Sequence, residues 1–403
     1  MKFTNKLLSE VVFFQEGPGV RKFQFRNEGV KLLNVGNINK GVLDTSTTKL
    51  YISEEEAYGK YKHFLVDEGD LLIASSGIVV DNFHNKIAYV KKEHLPLCLN
   101  TSTIRFKTLD ENVFNLDYLK FYLKTTHFKN QLRKLITGAA QLNFGPSHLK
   151  KITLPVPPLP DQLHIATILS KAENLIAQRK ESIRLLDEFL KSTFLEMFGD
   201  PIANKKKWEV LALSDVCSKI TDGTHDTPER LTQGVKYITG KHITPFNIDF
   251  ENSDYVTEEV HQGIYRRTNV EFDDILYTNI GANVGTAARV KVKYEFSLKN
   301  VALLKQDRAK LRSHYIEHLL NLSNFKNRLL SLLSIGGAQK FLNLKSIGKI
   351  KIPVPPIALQ TQFTHIVEKT EALKTQYKQS LQELENLYGS LSQKAFRGEL
   401  SVK

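Results

Sequence analysis

Leu154–Pro201 reads LPVPPLPDQLHIATILSKAENLIAQRKESIRLLDEFLKSTFLEMFGDP, and Ile352–Leu400 reads IPVPPIALQTQFTHIVEKTEALKTQYKQSLQELENLYGSLSQKAFRGEL. Each is a proline-rich lead-in followed by a long amphipathic stretch. Pro155, Val156, Pro157 and Pro158 return as Pro353, Val354, Pro355 and Pro356, a shift of 198 positions. A repeat at one long period is the strongest clue a sequence offers to architecture. The residues around these two stretches extend it. VKLLNVGNI from Val30 matches VKYITGKHI from Val235, and GDLLIASSG from Gly69 matches DDILYTNIG from Asp273. Asn100 matches Asn300, YLKFYLKTTHFKNQL from Tyr118 matches YIEHLLNLSNFKNRL from Tyr315, and GAAQ at 138–141 matches GGAQ at 336–339. The order never changes, which implies a duplicated unit.

Within each unit, short β-branched and aromatic runs bounded by turn residues predict strands at 30–35, 70–74, 86–90 and 102–106. Their counterparts fall at 235–239, 274–278, 286–290 and 301–305. A helical hairpin pattern follows near 116–136 and 311–333. Each half therefore reads as a small mixed α/β (α+β) domain. Prolines bias the residue before them out of the α region, so the lead-ins should be extended. Beyond them, Ile165, Ile168, Ala172, Leu175, Ser182, Leu186, Phe189 and Thr193 form a three-four seam. In the second copy Ile366, Thr370, Leu373, Tyr377, Ser380, Leu384, Leu387 and Leu391 do the same. This pattern predicts two coiled-coil helices of about 55–60 Å at about 1.5 Å per residue. Leu169, Ile176, Ile183, Leu190, Phe194, Val367, Leu381 and Tyr388 lie beside the seam and widen the apolar stripe. They are the expected docking face for a partner helix or subunit.

Charge separates the halves from the helices. The chain carries a formal +13. Residues 1–160 hold 22 basic against 15 acidic side chains and residues 200–359 hold 23 against 17, whereas 161–199 and 360–396 are close to neutral. Basic bodies suit a polyanion and neutral amphipathic helices suit proteins. No run of eighteen apolar residues occurs, and MKFTNKLLSEVV has no signal-peptide core, so a cytoplasmic protein is expected. Cys98 and Cys217 have no CxxC spacing, which disfavours zinc. Gly234–Lys241 has the wrong glycine spacing for a phosphate loop. Gly281–Gly285 is too short for a dinucleotide fingerprint. His225 has no nucleophile beside it. An enzyme with its own active site is disfavoured.

Duplex DNA, the polyanion implied by the family resemblance of the proline motifs and their flanks, is read by lysine and arginine on phosphates and by asparagine, glutamine and serine on base edges. Turns rich in these residues give the candidates. In the first half they are Asn37, Asn39, Lys40, Ser75, Ser76, Asn85, Lys86, Gln141 and Asn143; in the second, Lys241, His242, Arg266, Arg267, Asn279, Asn283, Gln339 and Lys340.

These residues also carry a family resemblance. PVPPLPDQ with Gln162 and PVPPIALQ with Gln360, each before a long helix, resemble the repeats of type I restriction-modification specificity subunits. Met197–Pro201 followed by Trp208 and Glu209, TDGTHDTP at 221–228 and AFRGEL at 395–400 are similar to further pieces of that family. Asp161 and Leu359 stand where the family usually has glutamate, and the first half lacks the DGTH opening.

The resemblance implies a first target-recognition domain at 1–153, a proline motif and long helix at 154–200, a second recognition domain at 201–351, and a second motif and helix at 352–403. It implies two antiparallel helices between the domains and a bipartite, asymmetric DNA target. The chain would be a non-catalytic subunit of a bacterial or archaeal complex at the nucleoid. It would recruit two methyltransferase subunits and restriction subunits, with S-adenosylmethionine, ATP and magnesium bound by those partners and not by this chain. The specificity subunit of a modification-only system, or a coiled-coil scaffold with non-specific nucleic-acid binding, would share most of these features.

Overall fold

A computed structural model describes residues 3–77, 79–136, 143–333 and 341–400 of the chain. The Cα trace separates into two compact units. One comprises Met1–Arg179 with Ser380–Lys403, and the other comprises Lys180–Gln379. Each unit therefore holds a globular body, the first half of the helix that follows the body, and the second half of the other long helix.

The duplication seen in the sequence recurs as a duplicated topology. In the first unit an antiparallel sheet runs Val12–Glu16, Thr103–Thr108, Leu71–Ala74, Ile87–Tyr89. In the second the order is Cys217–Asp222, Ala302–Gln306, Ile275–Tyr277, Ala287–Arg289. A three-stranded sheet accompanies each. It runs Tyr51–Ile52, Val30–Leu32, Leu97–Cys98 in the first unit and Asp254–Val256, Val235–Thr239, Ser297–Lys299 in the second. The last pair is parallel in both cases. The predicted strands are found with slightly different ends. Val12–Glu16 was hidden because Phe13, Phe14 and Gln15 neither alternate cleanly nor sit between turn residues.

The proline lead-ins are more than extended linkers. Thr153–Val156 pairs with Thr4–Leu7, and Lys351–Val354 pairs with Glu209–Ala212. Pro155 and Pro353 are tolerated because these are two-stranded ribbons, where an edge position needs no donor. The hairpin helices start where the sequence supplies caps. Asn115 accepts from Tyr118 N at 2.9 Å and Thr125 accepts from Phe128 N at 3.2 Å.

The two glutamines of the family motif fix each body to its helix. Gln162 donates to Val113 O and Pro157 O at 2.9 and 2.8 Å and accepts from Asn115 N at 2.9 Å. Gln360 donates to Lys310 O and Pro355 O at 3.0 and 2.8 Å and accepts from Arg312 N at 2.8 Å. Both side chains are fully buried. An amide is the one uncharged side-chain group that can donate twice and accept at the same site.

The long helices run Leu159–Phe198 and Ile357–Arg397. In the second unit their halves are antiparallel. Phe194 and Phe198 lie 5.5 and 5.3 Å from the Phe363 ring, and Lys374 pairs with Asp187 further along. In the first unit Tyr388 donates to Glu173 at 3.0 Å, and Phe396 lies 5.2 Å from the Tyr118 ring. Glu173 also pairs with Lys120 and Lys124, and its repeat mate Glu371 pairs with Arg289 and Lys291.

The helical faces differ from the expectation. Leu169 lies in the core of the first unit, and Leu190, Phe194 and Val367 lie in the core of the second, so these four cannot dock a partner. Ile176, Ile183, Leu381 and Tyr388 are half-buried. Leu175, Phe189 and Leu387, expected in a seam, are instead about half exposed, as is Leu185. Each half-helix first buries the face that the globular body of its unit covers, and helical periodicity cannot say which of two adjacent apolar stripes that will be.

Candidate nucleic-acid interface

In the second unit, turns from both sheets meet around a cleft of about 370 Å³. Its walls are Arg230, the Thr239–Lys241 turn, Ile280–Asn283 and Lys299–Asn300. The close approach of its outer loop depends on Gly223, where a Cβ would fall 2.0 Å from Leu298 O. Gly281 has φ +92, a backbone conformation that other residues rarely adopt, and turns the 279–285 loop toward the cleft. Asp254 sits 3.0 Å from Arg230 and 3.2 Å from Lys241. Lys299 donates to the Thr227 hydroxyl. His225 lies 2.7 Å from Asn300 Oδ1 and 3.1 Å from Asp222 Oδ2, so its ring is a strut between the two loops. The edge thus displays three cations and two carboxamides around a shallow cleft, a surface suited to phosphates and base edges.

Several candidates have other duties. Arg267 is exposed but ion-paired with Asp222, and Arg266 beside it is exposed. His242 is 3% exposed and its Nδ1 accepts from Thr239 N at 3.0 Å, closing the turn. Burial holds its pKa below the usual histidine value. Asn279 is 2% exposed, with an Oδ1 that has no partner among the described residues. Asn283 stands exposed on the loop, donating weakly to Ile243 O at 3.4 Å, and Lys241 is exposed. Gln339 and Lys340 lie outside the described residues, as does Gln141 in the first half.

In the first unit the corresponding edge is more polar and less charged. Asn37 is buried, accepting from Asn34 N and donating to Asp44 O, each at 2.8 Å, so it shapes its turn. Lys86 donates to Ile38 O at 2.8 Å and holds the same turn from below. Asn37 and Lys86 are therefore corrected from readers to scaffold. Ser75 is 1% exposed, too deep to reach DNA without movement. Ser76 donates to Asn143 Oδ1 at 2.6 Å, and Gly77 N donates to the same oxygen at 3.1 Å, which brings two candidates together. Asn39 and Lys40 are exposed at a hairpin tip and Asn85 is half-buried behind them.

The residues missed were Asn34, Asn100, Arg230, Lys299, Asn300 and the loop 17–29. Asn100 donates to Asn34 Oδ1 at 3.4 Å, at the place where Asn300 meets His225 in the other unit. The equivalence of Asn100 and Asn300 was visible in the repeat. Preference for residues inside predicted turns passed over it, because each asparagine sits at a strand end.

Burial pushes both the Cys98 and Cys217 thiols up to about 12, which removes them as nucleophiles near neutral pH. Among the described residues no group of three or more His, Cys, Asp or Glu is placed to hold a metal ion. None of the helices among them is long and apolar enough to cross a membrane.

Comparison with known proteins returns the same twofold division. The Type I restriction modification DNA specificity domain matches the chain twice, over residues 2–185 and 205–386. The chain is 21% identical to the Type I restriction enzyme EcoKI specificity subunit of Escherichia coli, covering 94% of this chain and 84% of that protein. It is 23% identical to the MjaIX specificity subunit of Methanocaldococcus jannaschii, covering 88% and 84%. Among solved structures, the S subunit of a type I restriction-modification system from M. genitalium superposes with a TM-score of 0.59 at 18% identity, covering 100% of this chain and 97% of that one.

Proposed function

From the premise that this chain belongs to the type I restriction-modification DNA specificity family, we propose that it reads a two-part DNA target, one part with each globular body. The observation that carries this reading is the coincidence of three divisions. The family matches twice, the strand order repeats twice, and each copy presents a loop edge rich in asparagine, serine, lysine and arginine. The edges differ in chemistry. The second is a cationic cleft built on Arg230, Lys241 and Lys299, and the first is a carboxamide and hydroxyl surface around Asn34, Ser76, Asn100 and Asn143. Two unlike edges read unlike half-sites, so the target is asymmetric.

The chain itself supplies recognition and leaves the chemistry to others. Two methyltransferase subunits dock on the helices through the exposed Leu175, Leu185, Phe189 and Leu387, with half-buried Ile176, Ile183, Leu381 and Tyr388 at the margin. Restriction subunits join that core. S-adenosylmethionine belongs to the methyltransferase, and ATP with magnesium to the restriction subunits. The complex works in the cytoplasm, where the chromosome is. Among the described residues both thiols are buried, and the His225 ring is held between Asn300 and Asp222.

Mapping methylated adenines in the host genome, with and without the chain, tests the reading. Loss of one two-part, asymmetric motif on deletion is expected. An unchanged methylation map, together with equal affinity of the purified complex for random duplex, would refute it.

A further inference from the structure

Phe23 is 80% exposed, more than any other large apolar side chain described. The backbone that carries it is tied down by hydrogen bonds on both sides. Lys22–Gln24 forms a single 3-10 turn. On one side, buried Gln24 accepts from Arg21 N at 3.0 Å and donates to Glu56 at 2.6 Å and to the Tyr61 hydroxyl at 3.1 Å. On the other, the Arg26 guanidinium donates to Phe23 O at 2.9 Å and Phe25 O at 3.1 Å, while Phe25 packs into a small core beneath. Everything around the ring is pinned, and the ring itself points into solvent.

Its surroundings say what meets it. Residues 17–29 hold three exposed cations, Arg21, Lys22 and Arg26, against one acid, Glu28. None of the three cations has an ion-pair partner among the described residues. The root of the loop is seated on the interface already described. A Cβ on Gly17 would fall 2.3 Å from Asn100 O, and Thr101 N donates to Pro18 O at 3.2 Å. The feature belongs to one unit only. Arg26 bridges to Tyr51 as Leu231 bridges to Tyr255, which puts Pro228 where Phe23 would be in the second copy.

We propose that Phe23 is an aromatic wedge that inserts between two stacked base pairs of the half-site read by the first unit, with Arg21, Lys22 and Arg26 on the flanking phosphates. A flat ring stacks on any base, and apolar wedges of this kind kink duplexes at steps that unstack easily. The wedge would favour a pyrimidine–purine step at a position that no hydrogen bond reads. The inference rests on the DNA-reading function proposed above.

The test uses the full chain with its methyltransferase, on duplexes carrying the methylation-mapped target. 2-Aminopurine is placed in turn at adenines other than the methylated one. Binding should raise fluorescence at one step in one half-site. Phe23→Ala should abolish that rise and weaken affinity by about ten-fold or more, and Phe23→Trp should keep both. Lys22→Ala should weaken binding and lower its salt dependence while keeping the fluorescence rise. Unaltered affinity and fluorescence in Phe23→Ala would overturn the wedge, with specific binding intact. Loss of methyltransferase co-elution by Phe23→Ala without DNA would overturn it in favour of a protein contact. A wild-type complex with no sequence preference would overturn the parent reading itself.

Discussion

Replacing Gln360 with alanine should unlock the second unit without touching the edge proposed to read DNA. The side chain is fully buried and makes three hydrogen bonds within 3.0 Å, to Lys310 O, Pro355 O and Arg312 N. Truncation leaves one donor and two acceptors without a partner in an apolar setting. Each orphaned group costs about 1–3 kcal/mol, and a water entering the vacated space limits the total to about 2–4 kcal/mol. For a unit of this size, about 2–4 °C are lost per kcal/mol. The thermal midpoint of the second unit should therefore fall by about 5–15 °C in calorimetry. Gln360→Glu is the sharper probe. It keeps the acceptor for Arg312 N but turns the double donor into an oxygen facing two carbonyls. That variant should be at least as unstable as the alanine at neutral pH. It should recover partly on acidification, when the carboxyl can donate once. A loss below about 0.5 kcal/mol for the alanine, within the range of ordinary surface changes, or a pH-independent glutamate variant, would refute the reasoning. Gln162→Ala should do the same to the first unit, and the two effects should add because the sites share no partner.

The second unit should also weaken below about pH 6.5. Burial lowers His314 to about 3 and His318 to about 4, so both stay neutral when folded and take up protons on unfolding. Stability from them is present above the ordinary histidine pKa and lost as pH falls. Glu317, raised to about 7 by burial with Arg289 and Lys291 opposing, acts in the other direction. One acid cannot cancel two histidines between about pH 4.5 and 6.5, so His314→Gln should flatten the slope of thermal midpoint against pH in that range; an identical slope would refute this. Lys241→Ala should weaken binding to all sequences and reduce the slope of log affinity against log salt by about one, measured by titration at several salt concentrations. Leu175→Asp with Phe189→Asp should abolish methyltransferase co-elution while leaving the thermal midpoint within about 2 °C, since surface changes are nearly neutral for folding.

Much of the architecture was legible because duplication supplies its own control. A strand predicted weakly at 30–35 gains weight when 235–239 has the same pattern, and both are strands. The long helices were legible from period alone. Their faces were not, because Leu169 and Ile168 are equally apolar and only the body decides which one it covers. The loop edges were legible as places and not as contacts. Asn37 and Lys86 looked like Asn39 and Lys40, yet the first two hold a turn and the second two project from it. That division depends on a hydrogen bond to Asp44 O seven residues away, which composition does not encode. Arg230 lies on a loop and Lys299 at a strand end about 70 residues away, so no local window could place them at one cleft.

The first unit is assembled from residues 1–179 and 380–403, and its core includes Ala395, with Phe396 against Tyr118 and Tyr122. During synthesis its body emerges first and its closing residues emerge more than 200 positions later. At about 5–20 residues per second, that leaves an open apolar seam for about 10–40 s on every ribosome. The second unit needs no such wait, because residues 180–379 are contiguous. The unit whose body is made first is therefore the one that closes last, and the arrival of residues 380–400, not the folding rate of its sheets, sets when its core is complete.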